Sequence, residues 1–259
     1  MTGTNTAESS SVDAAEVNRF AENAEDWWDL EGPYRSLHQL NPLRIAYVRD
    51  RFCDNFGRDA KAFDSLRGLR ILDIGCGGGL LCEPLARLGA EVVGADAAEE
   101  NVHIARHHAE AGGLKIDYVR ATAEELAEWG EKFDAIVNME VVEHVADAEL
   151  FLGACADLLK PGGAMALATL NRTLKSYALA IVGAEYVLRW LPRGTHRWRR
   201  FLRPSELARS LRAAGLTVSD LTGVAYDPLD REWRLSRDLG VNYMAFAVKA
   251  GGFAVKAGA

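Results

Sequence analysis

The chain predicts a mostly parallel α/β sheet with helices on both faces. Three observations carry that prediction. From Leu69 to Leu170, short apolar runs alternate with amphipathic segments of helical period. The helical segments end on turn residues, at Gly89, at Gly112-Gly113 and at Pro161-Gly162. A glycine-rich turn joins the first apolar run to the segment that follows. Strand–helix alternation of this kind requires right-handed crossovers, which leave the strands parallel and both faces of the sheet covered.

The elements follow in order. Residues 1–11, MTGTNTAESSS, are polar and form a disordered tail. Residues 12–65 form an N-terminal helical cap, its helical pattern interrupted at Gly32-Pro33 and Asn41-Pro42, with Trp27-Trp28 packing it onto a larger body. Residues 66–250 are that body. LRILDIG, EVVGAD, IDYVRA, FDAIVNM and AMALATL read as its first five strands, and LTVSDLTGVAYDP and VNYMAFAVK as the last two, giving a seven-stranded sheet. The helices between them are LLCEPLARLGA, AEENVHIARHHAEAG, TAEELAEW and DAELFLGACADLLKPGG, the last stopped by Pro161-Gly162. SELARSLRAAG is a further helix, capped by Ser205 after Pro204. Residues 171–203 are an insert after strand five. Residues 251–259 close the chain as a tail carrying the second copy of a repeat, FAVKAGG then FAVKAGA.

Composition excludes several classes. With 259 residues and 49% hydrophobic content the chain can build a sizeable core. A formal net charge of −7 argues against general nucleic-acid binding. The four cysteines, Cys53, Cys76, Cys82 and Cys155, form no CxxC pair, which fits a reducing cytoplasm better than a disulfide framework or zinc site. The N-terminus has no signal-peptide core, and no apolar run reaches the ~20 residues of a spanning helix.

ILDIGCGGGL places Gly75, Gly77, Gly78 and Gly79 between a strand and a helix. Glycines there let a ligand approach the backbone. A dinucleotide fingerprint, G-x-G-x-x-G, fails because its sixth position is Leu80. Asp73, at the strand end, is unfavourable beside a pyrophosphate and suits a ligand that carries positive charge. S-adenosylmethionine has an ammonium, a sulfonium and no phosphate. Asp96 closes the second strand, 21 residues after Gly75, where a carboxylate accepts from both hydroxyls of a ribose.

The fourth strand leads into NMEVVEHV. Glu140, Glu143 and His144 stand at i, i+3 and i+4, on one face if the segment is helical. Three readings stay open. His144 is a general base, backed by Glu143. Glu140, Glu143 and His144 bind a divalent metal, magnesium or zinc, which acidifies a substrate hydroxyl. Or Glu143 and His144 only orient a loop. On the second helix, His103, His107 and His108 read as solvent-facing, whereas His38 and His196 flank the regions expected to cover the site.

With these residues in view, the chain resembles the class I S-adenosylmethionine-dependent methyltransferases. More narrowly, it resembles the ubiquinone-biosynthesis O-methyltransferases. The narrow likeness rests on WWDLEG, LHQLNPLR, LDIGCGGG, ATLNRTLKS, VGAEYVLRWLPRGTH and VNYM, from about Asn18 to Lys249. The resemblance implies a Rossmann-like fold and S-adenosyl-L-methionine as co-substrate. It also implies O-methylation of phenolic hydroxyls on polyprenylated intermediates, 2-polyprenyl-6-hydroxyphenol and 3-demethylubiquinol. It places cofactor contacts on Arg44, Gly75, Asp96 and Met139, beside Asp73 and Gly77 of the loop. Arg44 would meet the methionine carboxylate and Met139 would line the adenosine pocket. A divalent metal on Glu140, Glu143 and His144 is carried over from eukaryotic relatives. The alternatives are an O-methyltransferase of a small soluble catechol-like metabolite and a non-catalytic nucleoside-binding module.

The insert has a chemistry of its own. Between Arg172 and Arg203 stand Arg172, Lys175, Arg189, Arg193, Arg197, Arg199, Arg200 and Arg203, against the single acid Glu185. Residues 176–191 are too short to span a bilayer. They suit the interface, with Tyr177, Ile181, Leu188 and Trp190 dipping inward. Each nearby basic side chain adds about 1 kcal/mol at an anionic surface. The insert therefore reads as a substrate lid and a foot on an anionic membrane surface. The expected setting is cytoplasmic, peripheral to the inner face of the membrane, with other ubiquinone-biosynthesis enzymes as partners and no nucleic acid.

Overall fold

The computed structural model describes residues 10–179, 181, 197–227, 230 and 232–251. Its sheet has the order β3-β2-β1-β4-β5-β8-β6-β7. The strands are β1 (Arg70–Ile74), β2 (Glu91–Asp96), β3 (Asp117–Arg120), β4 (Phe133–Met139), β5 (Leu159–Leu170), β6 (Leu216–Asp227), β7 (Glu232–Ser236) and β8 (Asn242–Lys249). The first five run parallel, and β8 enters antiparallel between β5 and β6. Eight strands stand where the sequence predicted seven. The additional one, β7, pairs antiparallel with β6 at the sheet edge. EWRLS lacks a long apolar run because an edge strand needs little burial and tolerates charge.

The period-2 alternation of the strands sorts the core into two halves. Ile71, Ala135, Val137 and Phe246 face one side, covered by α2 (Arg35–Phe56), α3 (Cys82–Arg87) and α4 (Glu99–Ala111). Leu72, Ile136, Leu167 and Tyr243 face the other, covered by α6 (Ala148–Leu158) and α8 (Pro204–Ala213), with α5 (Ala123–Glu128) beside them. Both faces are therefore dry, as a parallel sheet requires. Chain order runs outward from β1 to β2 and β3, then returns to β4 on the other side of β1. That reversal opens a crevice at the carboxyl ends of β1 and β4, where ligands of open α/β sheets bind.

Several local expectations are corrected. α2 runs straight through Asn41-Pro42, predicted as an interruption. An internal proline costs about 3 kcal/mol. Burial of Leu40, Tyr47, Val48 and Phe52 against the sheet outweighs it, and Gly57 ends the helix in the left-handed conformation at φ 63°. α6 stops at Leu158, short of Pro161-Gly162, because Leu159 pairs with Phe133 and a bulge follows in β5. Ser205 does not cap α8. Arg203 is the cap residue and Pro204 takes the first helical position, where a missing N–H costs nothing.

The chain before α2 folds onto the glycine turn. α1 (Ala14–Ala21) is capped by the Asp13 carboxylate, which accepts from the Ala15 and Glu16 N–H groups. A 3-10 turn, Ala24–Trp28, follows. Trp27 and Tyr34 stack with ring centroids 3.9 Å apart, and Leu80 joins their buried cluster. Ser11, predicted to belong to the disordered tail, is buried, and its carbonyl accepts from the Ala146 N–H at 2.7 Å. Short contacts to α5 and to the turn after β4 hold it there. The second copy of the C-terminal repeat lies outside the described residues.

Candidate active site

The crevice encloses about 560 Å³, within the usual range for small-molecule sites. One wall is the turn after β1. Gly75 has φ 73° and Gly77 φ 52°, backbone that side-chained residues rarely adopt. Each also meets a close neighbour. A Cβ on Gly75 would lie 2.5 Å from Val141 Cγ2, and one on Gly77 2.4 Å from the Trp27 ring. The turn is thus closed by the Trp27 indole, whose Nε1 donates to Asn101 Oδ1 at 2.8 Å.

Asp96 stands where β2 ends. One carboxylate oxygen accepts from the Gly77 N–H at 2.9 Å, and the other from the Ala98 N–H and Asn101 Nδ2. Burial raises its pKa above the ordinary value, and the three hydrogen bonds oppose the rise. Asp73, under the turn, accepts from the Cys82 thiol at 3.2 Å. Burial pushes its pKa up to about 7. Met139 ends β4 and, like both acids, lines the crevice.

Arg44 reaches the crevice from the middle of α2. Its guanidinium is buried and ion-paired with Glu140, while its Nε has no hydrogen-bond partner among the described residues. A buried, underused guanidinium beside a glycine turn fits the carboxylate of an amino-acid ligand. Glu140 itself has φ 59°, left-handed backbone for a side-chained residue, which costs on the order of 1–3 kcal/mol and sits where the strand meets the site.

The trio after β4 does not share a face. The segment is a turn, so its side chains diverge. Glu140 turns to Arg44. Glu143 turns inward and accepts from the Thr169 hydroxyl at 2.9 Å, and burial pushes its pKa up to about 8. His144 lines the crevice, with Nδ1 3.1 Å from Glu16 Oε2 and Phe20 edge-on at 5.2 Å. No cluster of three His, Cys, Asp or Glu side chains capable of holding a metal occurs among the described residues. The expected ligands Glu140, Glu143 and His144 thus do not fit one ion, each being drawn to a different partner. Glu143 makes no hydrogen bond to His144: one of its oxygens accepts from Thr169, and the other has no hydrogen-bond partner among the described residues.

Glu16, which does contact His144, carried no local signal in the sequence. It is one polar position of a short helix more than a hundred residues away, and only packing reveals it. Of the other histidines, His103 and His107 are exposed as expected. His108 is not: it stacks on Trp28 at 3.4 Å and meets Glu83 at 2.5 Å. His38 bonds to the Trp27 carbonyl at 2.9 Å, supporting the indole that closes the turn. His196, with Leu188 and Trp190, lies outside the described residues.

A nucleoside with an amino-acid tail, and no phosphate, matches the acids, glycines and guanidinium gathered here. Joined to this strand order, the crevice defines a class I S-adenosylmethionine-dependent methyltransferase. A family model described as a methyltransferase domain matches residues 45–221. The chain is 59% identical to the ubiquinone biosynthesis O-methyltransferase of Chelativorans sp. (strain BNC1), covering 94% of this chain and 96% of the relative. It is 57% identical to that of Rhizobium etli, covering 92% and 96%. It belongs to the family of ubiquinone biosynthesis O-methyltransferases. Among solved structures, it is similar in fold to the magnesium protoporphyrin IX methyltransferase of Synechocystis PCC 6803 with bound SAH. The TM-score is 0.61 and the identity 19%, covering 91% of this chain and all of that one. The plantazolicin methyltransferase BpumL gives 0.62 at 16% identity, covering 91% and 97%.

Proposed function

We propose that the protein methylates phenolic hydroxyls of polyprenylated ubiquinone precursors, 2-polyprenyl-6-hydroxyphenol and 3-demethylubiquinol. The observation that carries this reading is the continuity of the crevice. Beside the glycine turn it is also lined by Val141, Leu170, Val224, Trp233 and Val241, together with His144. An apolar extension suits a substrate with a hydrocarbon tail better than a small soluble catechol.

Arg44, Asp73, Gly75, Gly77, Asp96 and Met139 would hold S-adenosylmethionine. When bound, it supplies a methyl group on a sulfonium, open to displacement by an oxygen. His144 takes the substrate's phenolic proton. A phenol has a pKa of about 10, so at neutral pH roughly one molecule in a thousand is ionised. Restoring the anion is worth up to about 4 kcal/mol, and holding the reacting groups in line adds more. Glu143, buried on Thr169, supports the fold of the turn.

Association with an anionic membrane surface through 172–203, at the cytoplasmic inner face, is part of the same proposal, as are contacts with other enzymes of the pathway. No helix of the described residues is long and apolar enough to cross a membrane. Leu174, Tyr177 and Leu179 are exposed, which supports an interfacial foot. Four of the basic residues are engaged within the protein, however. Arg172 pairs with Glu206, Lys175 with Asp238, Arg197 with Glu16 and Arg200 with Asp13. Sedimentation with anionic liposomes tests the foot. Loss of binding on reversing Arg199 and Arg203 to Glu supports it; indifference removes it. The function is tested by methyl transfer to a short-chain polyprenyl catechol against unsubstituted catechol. Equal kcat/KM for both would overturn the prenylated-substrate reading.

A further inference from the structure

We infer that Glu16, on the N-terminal helix, is the positioning residue for His144, fixing the imidazole with its proton on Nδ1 and its lone pair on Nε2. The inference rests on the reading of His144 as the base.

The geometry is direct. Glu16 Oε2 lies 3.1 Å from His144 Nδ1, and both side chains are largely withdrawn from solvent, 7% and 15% exposed. A carboxylate only accepts hydrogen bonds, so an ionised Glu16 requires the proton on Nδ1. The carboxylate sits among guanidinium groups, which favour its charged form. Arg19 is 2.6 Å away and Arg197 3.7 Å.

The helix that carries Glu16 is tied to the turn that carries His144. Ser11 accepts from Ala146, Phe20 packs edge-on against the imidazole, and Asp13 is paired with Arg200 at 2.6 Å. Those contacts limit both the ring's rotation and the approach of the carboxylate. The same anchoring draws the basic end of the insert, Arg197 and Arg200, onto α1. The base is thus oriented by a segment remote in sequence, while Glu143, its neighbour in the chain, is engaged elsewhere.

The test uses the full chain with ¹⁵N-labelled histidine. In the unaltered protein, imidazole NMR should show His144, assigned by loss of its signals in His144→Ala, with the proton on Nδ1. A predominant Nε2–H tautomer would overturn the inference without any variant of Glu16. Glu16→Gln should redistribute the tautomers and lower kcat about 10- to 100-fold, with KM and S-adenosylhomocysteine affinity little changed. Glu16→Asp should recover part of the loss. Unaltered tautomer signals in Glu16→Gln sink the inference whatever its turnover. Near-normal turnover in His144→Ala sinks instead the base assignment beneath it, and the tautomer signals then decide whether Glu16 sets the ring.

Discussion

Glu140, Glu143 and His144 lie within five consecutive positions, yet their side chains go to Arg44, Thr169 and Glu16 respectively. Left-handed backbone at Glu140 ends β4 and starts a turn, so helical spacing does not apply. Types and positions were legible in the sequence, but their partners were not. Consequences follow for single substitutions. His144→Ala should lower turnover by about 10²- to 10⁴-fold and leave S-adenosylhomocysteine affinity intact by calorimetry. Asp96→Ala should do the reverse, weakening that affinity by about 1.5–3 kcal/mol through lost charge-assisted hydrogen bonds. Asp73 carries a pH prediction. Its pKa rises from an ordinary 3.8 to about 7 on burial. Between those values the native state keeps a proton that the unfolded chain has released, so stability is full below about 4 and falls as pH rises to about 7. Asp73→Asn mimics the protonated form. Its melting temperature in the ligand-free protein should gain on the unaltered chain between pH 5 and pH 7.5. The full difference is at most roughly 4 kcal/mol, and a constant gap would refute it.

Among the elements, the glycine turn and α2 depend on packing from outside themselves. The turn was readable because only glycine tolerates its dihedrals, and the same residues let Trp27 close over it. Gly77→Ala would both strain a φ of 52° and push a methyl into the indole. It should cost about 1–3 kcal/mol of stability, as overpacking does. It should also weaken S-adenosylhomocysteine binding, because the Gly77 N–H holds Asp96 in place; unchanged thermal melting and affinity would contradict this. α2 gives the opposite lesson. Its proline reads as a break, and helix continues only because its apolar face is buried on the sheet. β7 was missed for a related reason, since an edge strand held by backbone hydrogen bonds to β6 leaves little apolar pattern to read.

Across the whole molecule, the crevice is built from both ends of the described chain. α1, the 3-10 turn and α2 form one wall, the β1 and β4 turns another, and residues of β6, β7 and β8 a third. Residues 12–65 and 66–250, separable on paper, therefore share a core, with Tyr47 and Phe52 of α2 buried beside Ile71 and Phe246. Thermal unfolding should be a single transition. S-adenosylhomocysteine at about 100 times its Kd should stabilise it by roughly 2.7 kcal/mol. Two separated transitions, only one of them shifted by ligand, would show that the cap folds on its own. The strand–helix alternation, the glycine turn and the acid at the end of β2 were all readable from local spacing, because local sterics and hydrophobic period suffice to produce them, and the family likeness was readable from its motifs. Packing alone set Glu16 against His144 and Glu140 against Arg44, and parted the supposed metal trio into three separate pairs. Those contacts join residues distant in sequence, and they form only when burial of both faces of one sheet brings the segments together.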